Sequence, residues 1–123
     1  GVVCVAAFTS RPGLTIPTGD IAPFSSPGPL RAAGPGRRAI DVTAPGHRVS
    51  SAQAGSTGFV DKSGTSMATP VVTGLVAGLL QMDPKLNTGQ IVNRLEIASK
   101  RRPTDSVDDW GLGRIDAALF LKT

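Results

Sequence analysis

The sequence predicts an α/β fold in which a parallel sheet packs against a buried central helix. The apolar run "GVVCVAAF" (1–8) is short, nearly continuous and rich in valine, which is typical of a strand buried on both faces of a parallel sheet. The segment "SMATPVVTGLVAGLLQM" (66–82) repeats apolar residues at helical spacing and is apolar on most faces. A chain of 123 residues is long enough for one domain with one core.

The elements before the helix follow from turn residues and short apolar runs. Residues 9–38 are rich in proline, glycine and serine, so we expect a long irregular surface segment there. The run "AIDVTAPG" (39–46) predicts a second strand that ends at Pro45-Gly46. The segment 47–64 then predicts a hairpin with its turn near Gly55-Ser56.

Pro70 and two glycines constrain the central helix. Proline is best tolerated in the first turn, so the helix is expected to start close to Ser66 or Met67. Gly74 and Gly78 each cost roughly 1 kcal/mol relative to alanine inside a helix, which predicts that another backbone packs closely there. The apolar stretch falls short of the ~18 residues that suggest a membrane span, so no membrane contact is expected.

The last third of the chain predicts two further helices joined by a loop. The segment "NTGQIVNRLEIASK" (87–100) is amphipathic, with Asn87 or Thr88 as its N-cap. Residues 101–114 predict a loop, and "IDAALFLK" (115–122) predicts a short final helix.

Charge and cysteine content argue against several function classes. The net charge is +4, and the basic clusters at 36–38 and 100–102 lack interleaved aromatic residues, so no nucleic-acid partner is predicted. These clusters are interpreted as solvated charges, with an acidic partner as a weak option. The single cysteine, Cys4, cannot form an internal disulfide and is expected to be a buried, inert thiol.

Ser66 is the residue with a candidate chemical role. It follows Gly64 and Thr65 at the start of the helix, where unpaired N–H groups and the helix dipole favour negative charge. From the residues alone, Ser66 is either a helix N-cap or a nucleophile. A nucleophilic serine needs a base, and the single histidine, His47, has no evident reason to reach Ser66.

Four segments resemble the subtilisin-like serine peptidases (subtilases), in the order found in that family. The segment "SGTSMATP" (63–70) is similar to the signature around the nucleophilic serine. The other three are similar to further family segments: "FSSPGP" (24–29), "DVTAPG" (41–46) and "WGLGRIDAALFL" (110–121). Val71 departs from the family pattern, which often has a histidine there that is not the catalytic base.

The resemblance implies that residues 1–123 are the C-terminal segment of a subtilase catalytic domain, part of a three-layer fold whose N-terminal half is absent. It implies that Ser66 is the catalytic nucleophile, with Gly64 and Thr65 as oxyanion and nucleophile-loop support. The base, its orienting aspartate and an oxyanion asparagine would lie upstream. The implied partners are a protein or peptide substrate and an N-terminal subtilase segment carrying Asp and His, so the chain alone is expected to be inactive.

The remaining expectations are smaller. No cofactor is expected, although Asp41 lies in a segment that contributes to a weak cation site, such as a calcium site, in some relatives. His47 is interpreted as a loop residue, and the resemblance implies secretion. The alternative function is a non-catalytic subtilase-like binding or scaffold module, which the intact nucleophile segment argues against.

Overall fold

The computed structural model describes residues 2–13, 16–29 and 38–122. Along this part of the chain, strands come first, and helices with two short strands follow. In chain order they are β1 (Val5–Phe8), β2 (Val42–Pro45), β3 (Val49–Ala52), β4 (Phe59–Lys62), α1 (Thr65–Met82), α2 (Thr88–Ala98), β5 (Ser99–Lys100), α3 (Val107–Trp110), β6 (Arg114–Ile115) and α4 (Ala117–Phe120).

The main sheet has the strand order β1-β2-β6-β5. Strand β1 pairs in parallel with β2 along their whole length, from Val5 opposite Val42 to Phe8 opposite Pro45. Strand β6 continues the parallel arrangement at Arg114 opposite Thr43, and β5 closes the sheet antiparallel to β6. The α/β class with a parallel sheet is therefore confirmed.

Helix α1 packs one face on this sheet and exposes much of the rest. It contacts β1, β2 and α4, and its buried residues are Ala68, Val72 and Leu79. With 18 residues it is long and apolar enough to cross a membrane, so the expected shorter length is wrong. A core helix can have the same length and apolar composition. Ala68, Val72 and Leu79 of α1 belong to the core of this fold.

Two expectations about α1 are wrong. Pro70 is its sixth residue and so lies in the second turn, where the missing N–H leaves the Ser66 carbonyl without its helical donor. Among the described residues, no backbone packs on the helix glycines: a Cβ on Gly74 would meet nothing within 4 Å, and one on Gly78 would meet a Leu121 methyl group at 3.6 Å.

The other elements lie close to their predicted positions. The hairpin pairs Val49 with Lys62 and Ala52 with Phe59, as expected. Helix α2 starts after Asn87, whose side chain forms a capping box with Gln90, but it ends at Ala98 because Ser99 and Lys100 pair with β6.

Three further predictions need correction or cannot be compared. Cys4 is exposed, because it precedes β1, whose strand begins only at Val5. The predicted loop 101–114 contains α3, and the final helix is only Ala117–Phe120. Part of the irregular segment 9–38 and most of the basic cluster 36–38 lie outside the described residues.

A close contact between backbones joins the end of β2 to the start of α1. The Gly46 N–H donates to Phe8 O (3.1 Å), and the Gly64 N–H donates to Gly46 O (2.8 Å). A Cβ built on Gly46 would lie 2.6 Å from the Ala7 Cβ and 2.7 Å from Gly64 O. Only glycine therefore fits at this junction.

Arg114 joins distant segments at the far side of the sheet. Its guanidinium contacts Asp105 at 2.5 Å, and the two side chains are 17% and 8% exposed. It also lies 3.7 Å from the centre of the Trp110 ring and donates to Gly19 O (2.9 Å). Burial raises the pKa of Asp105, but the hydrogen bonds from Arg114 and the Arg102 N–H outweigh it, so the pKa lies below the ordinary value of 3.8.

The lowered pKa of Asp105 predicts a loss of stability in acid. A carboxyl with a lowered folded-state pKa stabilises the fold fully above its unfolded pKa of about 3.9, and this stabilisation is lost as the pH falls through the folded value. Urea denaturation over a pH series should give an unfolding free energy that falls below about pH 4. Asp105→Asn should be less stable at pH 7 by about 1–3 kcal/mol and show a shallower acid dependence. An unchanged acid dependence in Asp105→Asn would contradict this.

Gly46 and Gly74 form a matched pair for a second prediction. Gly46→Ala should lower the unfolding free energy by about 1–3 kcal/mol, the usual cost of overpacking. Gly74→Ala should raise it by about 0.5–1 kcal/mol, because Gly74 is exposed inside a helix with open space around it. Chemical denaturation of both variants measures this, and equal effects of the same sign would refute the crowding at Gly46.

Candidate active site

Ser66 is the second residue of α1, and its side chain is exposed. The N-cap is Gly64, without a side-chain capping bond, so the interpretation of Ser66 as an N-cap is wrong. Within residues 2–13, 16–29 and 38–122, no hydrogen-bond partner is found for the Ser66 hydroxyl. This hydroxyl is therefore accessible and has no structural hydrogen bond to lose.

The backbone beside Ser66 offers a free donor. In the first turn of a helix the N–H groups have no carbonyl four residues earlier. The Met67 N–H finds Gly64 O at 3.0 Å, whereas the Ser66 N–H has no partner among the described residues. A Cβ on Gly64 would make ordinary van der Waals contact with the Ser66 nitrogen, at 3.6 Å. Thr65 begins the helix, and its carbonyl accepts from the Thr69 hydroxyl at 3.0 Å.

The turn between β2 and β3 supports the loop that precedes Ser66. The Arg48 N–H donates to the Ser63 hydroxyl at 2.9 Å, one residue before Gly64. Arg48 itself has a positive φ of 52°, which is uncommon for a residue with a side chain. Sequence analysis missed Gly46 and Arg48 as supporting residues. The glycine that ends "DVTAPG" was the available signal for the first, and no local signal marks the second.

Asp61 gathers two arginines on the outer side of the hairpin. Its carboxylate lies 2.5 Å from Arg11 and 3.4 Å from Arg48. The hydrogen bond from Arg11 is the main reason why the pKa of Asp61 is lowered. The contact between Arg11 and Asp61 ties the segment after β1 to β4, which precedes the loop before Ser66.

Two neighbouring cavities open on either side of Met67. The Ser66 cavity, about 300 Å³, is lined by Val49, Ser50, Ser51, Ser66, Met67, Pro70 and Val71. The hairpin cavity, about 440 Å³, is lined by Ser51, Ala52, Gln53, Ala54, Val60, Lys62 and Met67. Ser51 and Met67 line both cavities, so together they form the boundary between them.

His47 does not act on Ser66 in this structure. It lies in the turn after β2, as predicted, and its Nδ1 is 2.9 Å from the Thr9 hydroxyl. The Phe24 ring packs on it edge to face, with the ring centres 5.8 Å apart. Both contacts direct its ring toward the segment after β1.

Asp41 has a structural role in the described part of the chain. Its carboxylate accepts the Cys4 N–H at 2.8 Å, and its own N–H donates to Cys4 O at 2.9 Å. No group of three or more side chains able to hold a metal ion is found among the described residues.

Comparison with known proteins places these features in a family. The chain is 43% identical over 84 residues to halolysin of Haloferax mediterranei and 39% identical over 106 residues to mycosin-1 of Mycobacterium tuberculosis. These matches cover 68% and 85% of this chain but only 16% and 23% of the relatives. The chain therefore spans less than a quarter of the length of these two relatives.

Solved structures agree with the sequence matches. The CspB protease of Clostridium perfringens superposes with a TM-score of 0.80 at 28% identity, covering 98% of this chain and 26% of that one. MycP1 of Mycobacterium smegmatis gives 0.72 at 26% identity, covering 99% and 30%. A model described as "Subtilase family" matches residues 1–113, and the chain therefore belongs to the subtilase family.

Proposed function

We propose that this chain carries the nucleophile, Ser66, of a serine endopeptidase that cleaves protein or peptide substrates through an acyl-enzyme. The observation that supports this most is the exposed Ser66 hydroxyl, without a structural partner, beside a free N–H and an open cavity of about 300 Å³. Family membership and the subtilase-like nucleophile segment agree with it. The proposed reaction needs no cofactor.

In the proposed reaction the Ser66 oxygen attacks the carbonyl carbon of the scissile bond while a base takes its proton. The charge that forms on the carbonyl oxygen accepts a hydrogen bond from the Ser66 N–H, next to the positive end of α1. The base then returns the proton to the leaving amine, and water hydrolyses the acyl ester. Gly64 keeps the approach open, and Thr65 supports the loop.

The base is proposed to come from an upstream segment that carries the histidine and the aspartate. The Ser66 cavity is the place where an imidazole must enter to reach this hydroxyl, since His47 is engaged by Thr9 at 2.9 Å. The small share of each relative that the chain spans supports the proposal that residues 1–123 form the C-terminal segment of a longer catalytic domain. Secretion is part of the same proposal, and assaying culture medium against cell extract tests it.

One exposed stripe of α1 offers a surface on which the upstream segment that supplies the base could pack. Ser66, Thr69, Pro70 and Thr73 are spaced at i, i+3, i+4 and i+7, which places them on one helical face, and all four are exposed. Beside this stripe, Val3 and Val5 help to line an apolar groove of about 250 Å³. A segment that packs on the stripe and fills the groove would also lie next to Ser66.

The alternative is a non-catalytic binding or scaffold module. One observation favours it: the described residues place no base beside Ser66. Labelling by an active-site probe separates the two functions.

A fluorophosphonate probe should label Ser66 in the complete gene product but not in the isolated 123-residue chain. The probe needs an activated serine, and without the base the hydroxyl is a poor nucleophile. Intact-mass and peptide mass spectrometry would locate the label. Ser66→Ala should abolish labelling, whereas Ser10→Ala, an exposed serine after β1, should not. An unlabelled gene product that is folded would refute the peptidase proposal and favour the module.

The isolated chain should associate, either with an upstream fragment supplied in trans or with itself. Its exposed apolar groove leaves surface that another segment would remove from water. Sedimentation velocity should therefore detect species larger than the monomer. Thr73→Arg, inside the groove, should weaken association, while Gln81→Arg, near the end of α1, should leave it intact. A folded, monodisperse monomer would contradict the proposal.

A further inference from the structure

The hairpin cavity beside Met67 has a charge asymmetry that the proposed reaction does not explain. In β4, Asp61 and Lys62 are adjacent, and adjacent strand residues point to opposite faces of the hairpin. Lys62 pairs with Val49, and Val60 pairs with Ser51, so these four side chains share one face. Each of these four residues lines at least one of the two cavities beside Met67.

On the opposite face of the hairpin, the negative charge of Asp61 is paired with two arginines. Asp61 lies there and contacts Arg11 at 2.5 Å and Arg48 at 3.4 Å. These contacts keep the Asp61 carboxylate away from Lys62. In the described part of the chain, no carboxylate lies within 4.0 Å of the Lys62 ammonium. The two charges of β4 are therefore separated rather than paired.

The hairpin cavity consequently carries one positive charge and no negative charge among its lining residues. The other lining residues are uncharged: Ser51, Ala52, Gln53, Ala54, Val60 and Met67. Its volume of about 440 Å³ lies in the range of cavities that hold small ligands, about 300–1,000 Å³. A substrate side chain that enters here meets uncharged residues and a single cation, that of Lys62.

The neighbouring Ser66 cavity is assigned to the base under the proposed function, which leaves the hairpin cavity open to substrate. Met67 follows Ser66 directly and forms the wall between the two cavities. A peptide whose carbonyl carbon sits at the Ser66 oxygen can therefore place the side chain of a residue near the scissile bond over Met67 and into the hairpin cavity.

We propose that Lys62 is a specificity-determining residue, which makes the peptidase prefer substrates with an acidic side chain close to the scissile bond. The proposal rests on the proposed function for the position of the substrate, but its charge argument rests on the hairpin alone. Because Lys62 is exposed, the preference depends on ionic strength: charges interact over about 10 Å in 0.1 M salt and about 3 Å in 1 M salt.

The test uses the complete gene product and three series of peptides. The first series carries Glu, the second Gln and the third Lys. Within a series, the residue is placed at one position at a time on either side of the scissile bond, and kcat/KM is measured for each peptide. At one position we expect Glu to be preferred over Gln by up to about fivefold, the upper end for one exposed ion pair. Lys62→Glu should invert the preference at that position, Lys62→Gln should remove it, and 1 M salt should reduce it.

Lys85→Glu is the matched control. It makes the same change in net charge at an exposed lysine beyond the end of α1, so it should leave the order Glu, Gln, Lys unchanged. If Lys85→Glu changes the order as much as Lys62→Glu does, net charge and not the cavity determines the preference, and the proposal is wrong.

A binding measurement keeps the proposal testable without catalysis. In the Ser66→Ala gene product, fluorescence anisotropy of the labelled peptides should give tighter binding for Glu than for Gln, and Lys62→Glu should reverse this. Equal affinities and equal kcat/KM values at every position would overturn the role of Lys62. Loss of cleavage with all peptides while the charge preference in binding persists would instead count against the peptidase reaction.

Discussion

The position of Ser66 depends on a hydrogen bond between two glycines, in which the Gly64 N–H donates to Gly46 O at 2.8 Å. Gly46 is itself held by Phe8 O at the end of β1, and its Cα faces Ala7 so closely that a methyl group would overlap. The parallel pairing of β1 with β2 therefore determines where α1 begins. Ser66 then lies two residues further on, at a point that the sheet and not the loop alone defines.

Arginine contacts hold the segment after β1 at two places. Arg11 reaches Asp61 on the hairpin, and Arg114 donates to Gly19 O while it contacts Asp105. A described part of this irregular segment also follows the edge of β1, since the Ala22 N–H donates to Ala7 O at 2.9 Å. Because the hairpin carries Asp61 and also lines the cavities beside Met67, these contacts help to hold the hairpin in place beside Ser66.

Local signals in the sequence predicted the elements well, and contacts between distant residues explain the errors. Asn87, one of the two predicted N-caps, caps α2, and "DVTAPG" ends β2 where the proline-glycine pair indicates. Other predictions failed because their outcome depends on neighbours remote in sequence. Ser99 leaves α2 to pair with β6, Cys4 lies outside the strand that was to bury it, and the contacts of Arg48 and Asp61 cross between separate elements. For the candidate site, the resemblance of residues 63–70 to the family signature made Ser66 a candidate nucleophile, which stays a prediction, whereas the close junction at Gly46 is visible only in the fold.

The inactive state expected for this chain and its exposed apolar surface follow from one geometric fact. A helix buried on one face presents the opposite face as a stripe, and Ser66 begins that stripe. Because Ser66, Thr69 and Thr73 share this exposed face, a segment that covers Thr69 and Thr73 would also lie beside Ser66, so under the proposed function covering the helix and supplying the base are a single event. Binding that stabilises only the folded chain adds to its stability by mass action. The stability of the fold and the activity of Ser66 should therefore rise together as the concentration of the upstream segment rises. If Ser66 were activated by a base within its own loop, its activity would not depend on that concentration.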